Sequence, residues 1–255
     1  MSPVLKNKVA IVTGAGRGLG KAFALRYFEE GAKLLLPDLN IARAENTAKE
    51  IRAKGGEAVA MLTDISDENA TKKMAEEVIR LYGRVDILLN NAAWIENVNF
   101  MPYDALTVAD WDRMFAVNAR GTWLCCKAIG PLMEKQSQGK IINIVSDTIR
   151  MAGANGLLHY VCSKAAVCVM TQCLARTLGP SGINVNAIAP GLTATEANLI
   201  RPDSDKNFER LAATLSIRRR EEPVDLVGTA VYLASSDSDM VTGQVIYVDG
   251  GLVMA

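Results

Sequence analysis

Tyr160 and Lys164 stand four residues apart in LLHYVCSKAAVCV, residues 157–169. In a helix this spacing places both on one face, about 6 Å apart along the axis. A phenol with a reference pKa of about 10 is a poor base near pH 7, and lowering it by about three units takes roughly 4 kcal/mol. An ammonium fixed about 4–5 Å away supplies about that much at an effective dielectric of 20. The pair therefore reads as a proton-transferring group whose phenol is acidified by the lysine. His159 is turned roughly 100° away from this face and is assigned to packing or capping.

A second cluster lies near the start. TGAGRGLG follows the apolar run KVAIV and places Gly14, Gly18 and Gly20 where a strand passes into a helix. Glycine permits positive φ and lets backbone N–H groups approach a pyrophosphate at the positive end of that helix. Asp38 ends the next apolar run, eighteen residues after Gly20, where a dinucleotide fold places the carboxylate that accepts from the adenosine ribose. A 2′-phosphate about 4 Å from Asp38 would meet roughly 4 kcal/mol of repulsion at a dielectric of 20, which favours NAD over NADP. Arg17, inside the glycine loop, argues the other way, but no second basic residue directly follows Asp38.

These groups need strands and helices to hold them. KVAIVT, KLLLP, EAVAMLTD, RVDILLNN, KIINIVS, INVNAIAP and QVIYVDG read as strands. Between them lie helical stretches near 41–54, 67–82, 107–136, 157–179 and 223–235, besides the one after the glycine loop. Such alternation predicts βαβ units and a parallel sheet of about seven strands. Asp67 and Pro223 mark helix starts, Gly31 and Gly83 helix ends. The polar, weakly periodic stretch 195–222 reads as a substrate loop or lid. No second domain is expected within residues 1–255.

Composition bounds the rest. The 255 residues are 49% hydrophobic, consistent with a substantial core. The 28 basic residues balance 28 acidic ones, so bulk charge draws the chain toward neither nucleic acid nor an anionic membrane. The N-terminal stretch lacks a signal-peptide pattern, and a cytoplasmic protein is expected. Five cysteines without a CxxC pair, and one histidine, make a poor metal site; the cysteines read as reduced core thiols.

From Lys8 to Gly251 the chain resembles the classical short-chain dehydrogenase/reductases. The resemblance is carried by TGAGRGLG, Asp64, NNAA at 90–93, Asn118, Ser146, YVCSK at 160–164, PGLTAT at 190–195 and VDGG at 248–251. It implies an α/β, three-layer, doubly wound Rossmann fold. It further implies that Gly14, Arg17, Gly18, Leu19 and Gly20 cradle the cofactor, that Asp64 and Ile65 meet the adenine, and that Asn91 and Ala92 line the adenosine side. Pro190, Gly191, Thr193 and Thr195 would embrace the nicotinamide. Tyr160, its pKa lowered by Lys164 and a positive nicotinamide together, would take the hydroxyl proton while Ser146 binds the substrate oxygen and Lys164 holds the nicotinamide ribose. Asn118 would order a water that connects Lys164 to solvent. A homotetramer is implied, with helices 107–136 and 157–179 forming one interface.

Ala93 replaces the family's usual glycine, and Ser146 precedes Tyr160 by fourteen residues, one more than is common, so the loop 147–158 is expected to bulge. Trp94, Ile95, Asp147, Ile149 and Leu157 are candidate pocket residues for a compact, partly apolar secondary alcohol or ketone. Arg219 matches a family position; Arg218 and Arg220 are read as solvated charges rather than an anion site. The expected activity is NAD-dependent interconversion of a secondary alcohol and a ketone. A 3-oxoacyl reductase of NADP type, or a noncatalytic dinucleotide-binding regulator, are the alternatives.

Overall fold

Successive residues of a strand face opposite sides of a sheet, and here both sides are apolar. In β1 (Val9–Val12), Ala10 and Val12 enter one core while Val9 and Ile11 enter the other. The same split places Leu34 and Leu36 of β2 (Lys33–Asp38) opposite Leu35, and Ile87 and Leu89 of β4 (Ile87–Asn90) opposite Leu88. Strands buried on both faces belong to parallel sheets covered by helices. With β3 (Ala58–Leu62), β5 (Gly139–Ile144), β6 (Ile183–Pro190) and β7 (Val245–Val248), they form one parallel sheet ordered β3-β2-β1-β4-β5-β6-β7. This computed structural model describes residues 3–95, 100–151, 156–201 and 203–254.

One core is closed by α1 (Gly18–Glu29), α2 (Ile41–Ala53) and α10 (Val224–Ala234), the other by α3 (Glu68–Tyr82), α5 (Thr122–Gln136) and α7 (Leu158–Leu178). The result is the doubly wound, three-layer α/β fold expected from the strand–helix alternation. The chain leaves β1 for β2 and β3, then returns to β4 on the other side of β1. That reversal opens a crevice at the carboxyl ends of β1 and β4, where ligands of such sheets bind.

Local chemistry fixes the helix ends. Asp67 caps α3 by accepting from Asn69 N at 2.7 Å and Ala70 N at 3.2 Å, and Gly83 ends it in the left-handed region with φ +73°. α7 is long and apolar enough by composition to cross a membrane, yet it lies along β6 and turns Lys164 into the protein.

Two expectations need correction. Residues 108–136 are not one regular helix: α4 (Val108–Phe115) passes into a π turn over Ala116–Gly121 before α5 begins. Such a turn inserts a residue without ending the helix, and nothing in the apolar periodicity announces it. The stretch 195–222 is more ordered than a polar loop, for it holds α8 (Glu196–Leu199) and α9 (Ser204–Ala212), the latter anchored by buried Phe208. In the loop expected to bulge, Thr148–Met151 forms a short helix, α6; residues 152–155 lie outside the described residues.

Candidate active site

The crevice is a continuous cleft along the carboxyl ends of β1, β2, β4, β5 and β6. It is lined by Gly14, Arg17, Gly18, Leu19, Asp38, Asp64, Ile65, Asn91, Ala92, Ala93, Trp94, Ile95, Ser146, Tyr160, Lys164, Pro190, Gly191, Thr193 and Thr195. Most of the cofactor-site residues expected from the sequence thus share one space with the catalytic set.

At its first end the glycine loop is packed too tightly for a side chain at Gly14 or Gly20. A Cβ on Gly20 would lie 2.0 Å from Gly14 O, and Gly14 itself holds φ +66° against Ala92. Asn91 stitches the loop from below, donating from Nδ2 to Thr13 O at 3.0 Å and Gly14 O at 3.2 Å. Asp38 accepts from Gly16 N at 2.9 Å and from Asn40 N at 2.8 Å. A carboxylate has about four acceptor sites, so Asp38 retains capacity for ribose hydroxyls. Gly20, though outside the lining, makes the close turn possible. A backbone cradle at a helix N-terminus with a carboxylate beyond it fits a dinucleotide pyrophosphate and ribose.

The sequence argument found no second basic residue near Asp38, and the structure corrects this: Arg43, in the first turn of α2, also lines the cleft. Asn40 caps α2 by accepting from Arg43 N at 3.1 Å, which turns residue 43 back toward the end of β2. Arg43 lies five residues past Asp38, on a different element.

At the other end, Tyr160 and Lys164 project from α7. Lys164 is 4% exposed and donates from Nζ to Ile144 O at 2.7 Å. Burial lowers its pKa to about 8. Burial likewise pushes the Tyr160 phenol up to about 12; a hydrogen bond with Ser146 and the Arg201 charge pull it down, and Asp147 raises it. Without the nicotinamide charge, burial is the largest influence on the phenol. The lysine is aimed at a carbonyl, 5.9 Å from the phenol ring centre, and desolvation dominates both groups.

Ser146 Oγ accepts from Thr148 Oγ1 at 2.9 Å and donates to Asp147 Oδ1 at 3.2 Å. Asn118, 1% exposed and inside the π turn, accepts from Trp94 N at 2.7 Å and donates to Ser163 Oγ at 3.2 Å. Its side chain ties the wall at Trp94 to α7, a bracing role that the sequence did not foresee.

Of the expected pocket residues, Trp94 and Ile95 line the cleft. Ile149 instead packs with Val145 and Val167, because α6 rolls it toward β6, and Leu157 is buried against Met114 beneath Tyr160. Asp147 is 4% exposed and lies behind Ser146, its pKa raised to about 6 by burial and by Asp249. Thr193 keeps its place in the cleft wall, but its hydroxyl donates to Glu221 Oε1. Glu221, which no motif singled out, is 7% exposed and also accepts from Gly191 N at 3.2 Å. Burial raises its pKa to about 7. Arg219 and Arg220 are exposed and paired with Asp225 and Glu222, and Arg218 is exposed.

Residues 14–253 match the family model described as enoyl-(acyl carrier protein) reductase. The chain is 38% identical to the (2S)-[(R)-hydroxy(phenyl)methyl]succinyl-CoA dehydrogenase subunit BbsD of Thauera aromatica, over 97% of each. It is 35% identical to a 3-oxoacyl-[acyl-carrier-protein] reductase of Thermotoga maritima, over 98% of this chain and 99% of that one. Among solved structures, a 3-oxoacyl-[acyl-carrier protein] reductase with bound NAD from Brucella melitensis superposes with a TM-score of 0.88 at 32% identity, covering 99% of this chain and 94% of that one. Fold, cradle and relatives agree that the chain belongs to the short-chain dehydrogenase/reductase family, oxidoreductases whose Rossmann fold binds a nicotinamide dinucleotide.

Proposed function

We propose that this protein interconverts a secondary alcohol and a ketone with NAD as its preferred cofactor. The observation that carries the reading is that Ser146, Tyr160 and Lys164 open into the same cleft as the glycine cradle and Asp38. A noncatalytic dinucleotide-binding regulator has no need of that set.

Gly14, Gly18 and Gly20 give the pyrophosphate its backbone bed, and Asp38 takes the ribose hydroxyls while repelling a 2′-phosphate. Pro190, Gly191 and Thr195 border the nicotinamide end. A bound nicotinamide dinucleotide supplies the hydride acceptor or donor and, when oxidised, a positive charge. Ser146 Oγ binds the substrate oxygen, and Tyr160 Oη gives or takes its proton. With its phenol held near 12, Tyr160 is protonated at neutral pH and ready to deliver a proton to a ketone oxygen. Lys164 holds the nicotinamide ribose and, with the positive charge of an oxidised nicotinamide, lowers the phenol's pKa for alcohol oxidation.

A 3-oxoacyl reductase of NADP type is the second reading. It is favoured by the activity named for two of the relatives and by Arg17 and Arg43 flanking Asp38. Rates with NAD(H) and NADP(H), on a panel of secondary alcohols, ketones and 3-oxoacyl thioesters, separate the two. In the same assay Tyr160→Phe is expected to lose at least about 10³-fold in kcat while NADH titration stays close to wild type. Turnover by Tyr160→Phe near the wild-type rate would overturn the mechanism.

A further inference from the structure

A guanidinium is charged at every physiological pH and is costly to bury without a counter-charge. Arg26, Arg52, Arg80, Arg84, Arg219 and Arg220 each meet a carboxylate. Arg201 does not, among the described residues. It is half-buried, donates from Nη2 to Ile95 O at 3.1 Å, and stands 5.3 Å from the Phe100 ring centre. A carbonyl occupies one donor and a ring occupies one face, so most of its five N–H donors have no acceptor among the described residues.

Its position gives that unmatched charge a meaning. Ile95, which Arg201 holds, forms the cleft wall with Trp94 beside Tyr160. Arg201 and Tyr160 feel each other's charge, although burial is the larger influence on each. On the same wall Arg113 stacks 4.4 Å from the Trp94 ring centre and also lines the cleft. Arg113 thus lines the substrate end of the cleft, and Arg201 stands behind Ile95 within electrostatic reach of Tyr160, whereas Asp147 lies behind Ser146. Arg201 belongs to the segment between α8 and α9, next to the cleft-lining residues of α8.

We propose that Arg201 binds a carboxylate of the substrate, so that the reacting compound is a hydroxy acid or oxo acid whose carboxylate lies a few bonds from the reacting carbon. The planar fork of a guanidinium matches two carboxylate oxygens, and the low-dielectric wall strengthens the pair. This rests on the alcohol–ketone reading above and narrows it to one substrate class. The anion is received by Arg201 rather than by Arg218 or Arg220, the two that the sequence offered.

The test compares 3-hydroxybutanoate and 4-hydroxypentanoate with their methyl esters in NAD⁺-dependent oxidation. The wild type should favour the acids, and Arg201→Ala should lower the acid-to-ester ratio of kcat/KM by about 10- to 100-fold, with Arg201→Lys in between. In the presence of NADH, unreactive butanoate should raise the melting temperature of the wild type and not of Arg201→Ala. Esters used as well as acids, or a ratio unmoved by Arg201→Ala, would overturn the proposal. So would a Glu96→Gln variant that reproduces the Arg201→Ala loss, since Arg201 would then serve an acid of its own chain. Oxidation of neutral alcohols without preference for acids defeats this inference alone. No NADH from any alcohol and no NAD⁺ from any ketone defeats the alcohol–ketone reading. In that case absence of stabilisation by butanoate decides against Arg201 as well.

Discussion

Two buried carboxyls, Asp147 and Glu221, stand behind the catalytic serine and the loop that follows β6, and their titration should be visible in stability. Both have pKa values raised by burial, to about 6 and about 7. A carboxyl with a raised folded-state pKa holds its proton more tightly folded than unfolded. Its contribution is therefore complete below the unfolded value near 4 and is lost as pH rises through the folded value. Stability should fall between about pH 4.5 and 7, with Glu221 accounting for on the order of 2 kcal/mol. Glu221→Gln should flatten the upper half of that fall in urea-unfolding midpoints measured across pH. An unchanged slope would mean that Glu221 is ionised in the folded protein at all these pH values. His159, 1% exposed with Nδ1 unpartnered among the described residues, has a pKa lowered by burial and acts in the opposite sense, costing stability as pH drops below about 6.5. Neither effect was legible in the chain, because burial and carboxyl neighbours come from β5, β6 and the segment before α10 together.

The strand–turn–helix of β1 and α1 is the element on which cofactor binding depends. A methyl at Gly20 would lie 2.0 Å from Gly14 O and 2.7 Å from its carbonyl carbon, backbone atoms that cannot swing aside. Gly20→Ala should therefore lose NADH binding by at least about 100-fold, or fail to fold, read by fluorescence titration alongside thermal melting. Binding within a few-fold of wild type would show that the loop relaxes more than its packing implies. This element was readable in advance, since glycine spacing and a carboxylate one strand later are local features. The π turn at Ala116–Gly121 was not. It is settled by contacts across the fold, where Gly121 packs against Ile65 and Asn118 reaches Trp94 and Ser163. Likewise α6 removed Ile149 from the pocket by turning it onto β6, which spacing from Ser146 could not foretell.

At the scale of the molecule, α4, α5 and α7 leave an apolar groove uncovered, formed by Trp111, Phe115, Trp123 and Met170, with Trp123 44% exposed. A groove of this kind on the two helices expected to pair fits assembly with further copies, and the proposed homotetramer should sediment near four times the 27.5 kDa chain. Trp123→Glu should shift it to smaller species, whereas a wild-type monomer at micromolar concentration would refute the assembly. The sequence by itself determined the strand–helix alternation, the glycine cradle, Asp38 and the Tyr160–Lys164 face, because each depends on residues within a few turns or one strand of each other. Only the tertiary structure decided that Lys164 donates to Ile144 O, that Arg43 shares the cleft with Asp38, and that Glu221 grips Thr193. It also decided that Arg201 comes within electrostatic reach of Tyr160. Desolvation and charge pairing depend on which distant segments close over a group, and no spacing along the chain encodes that.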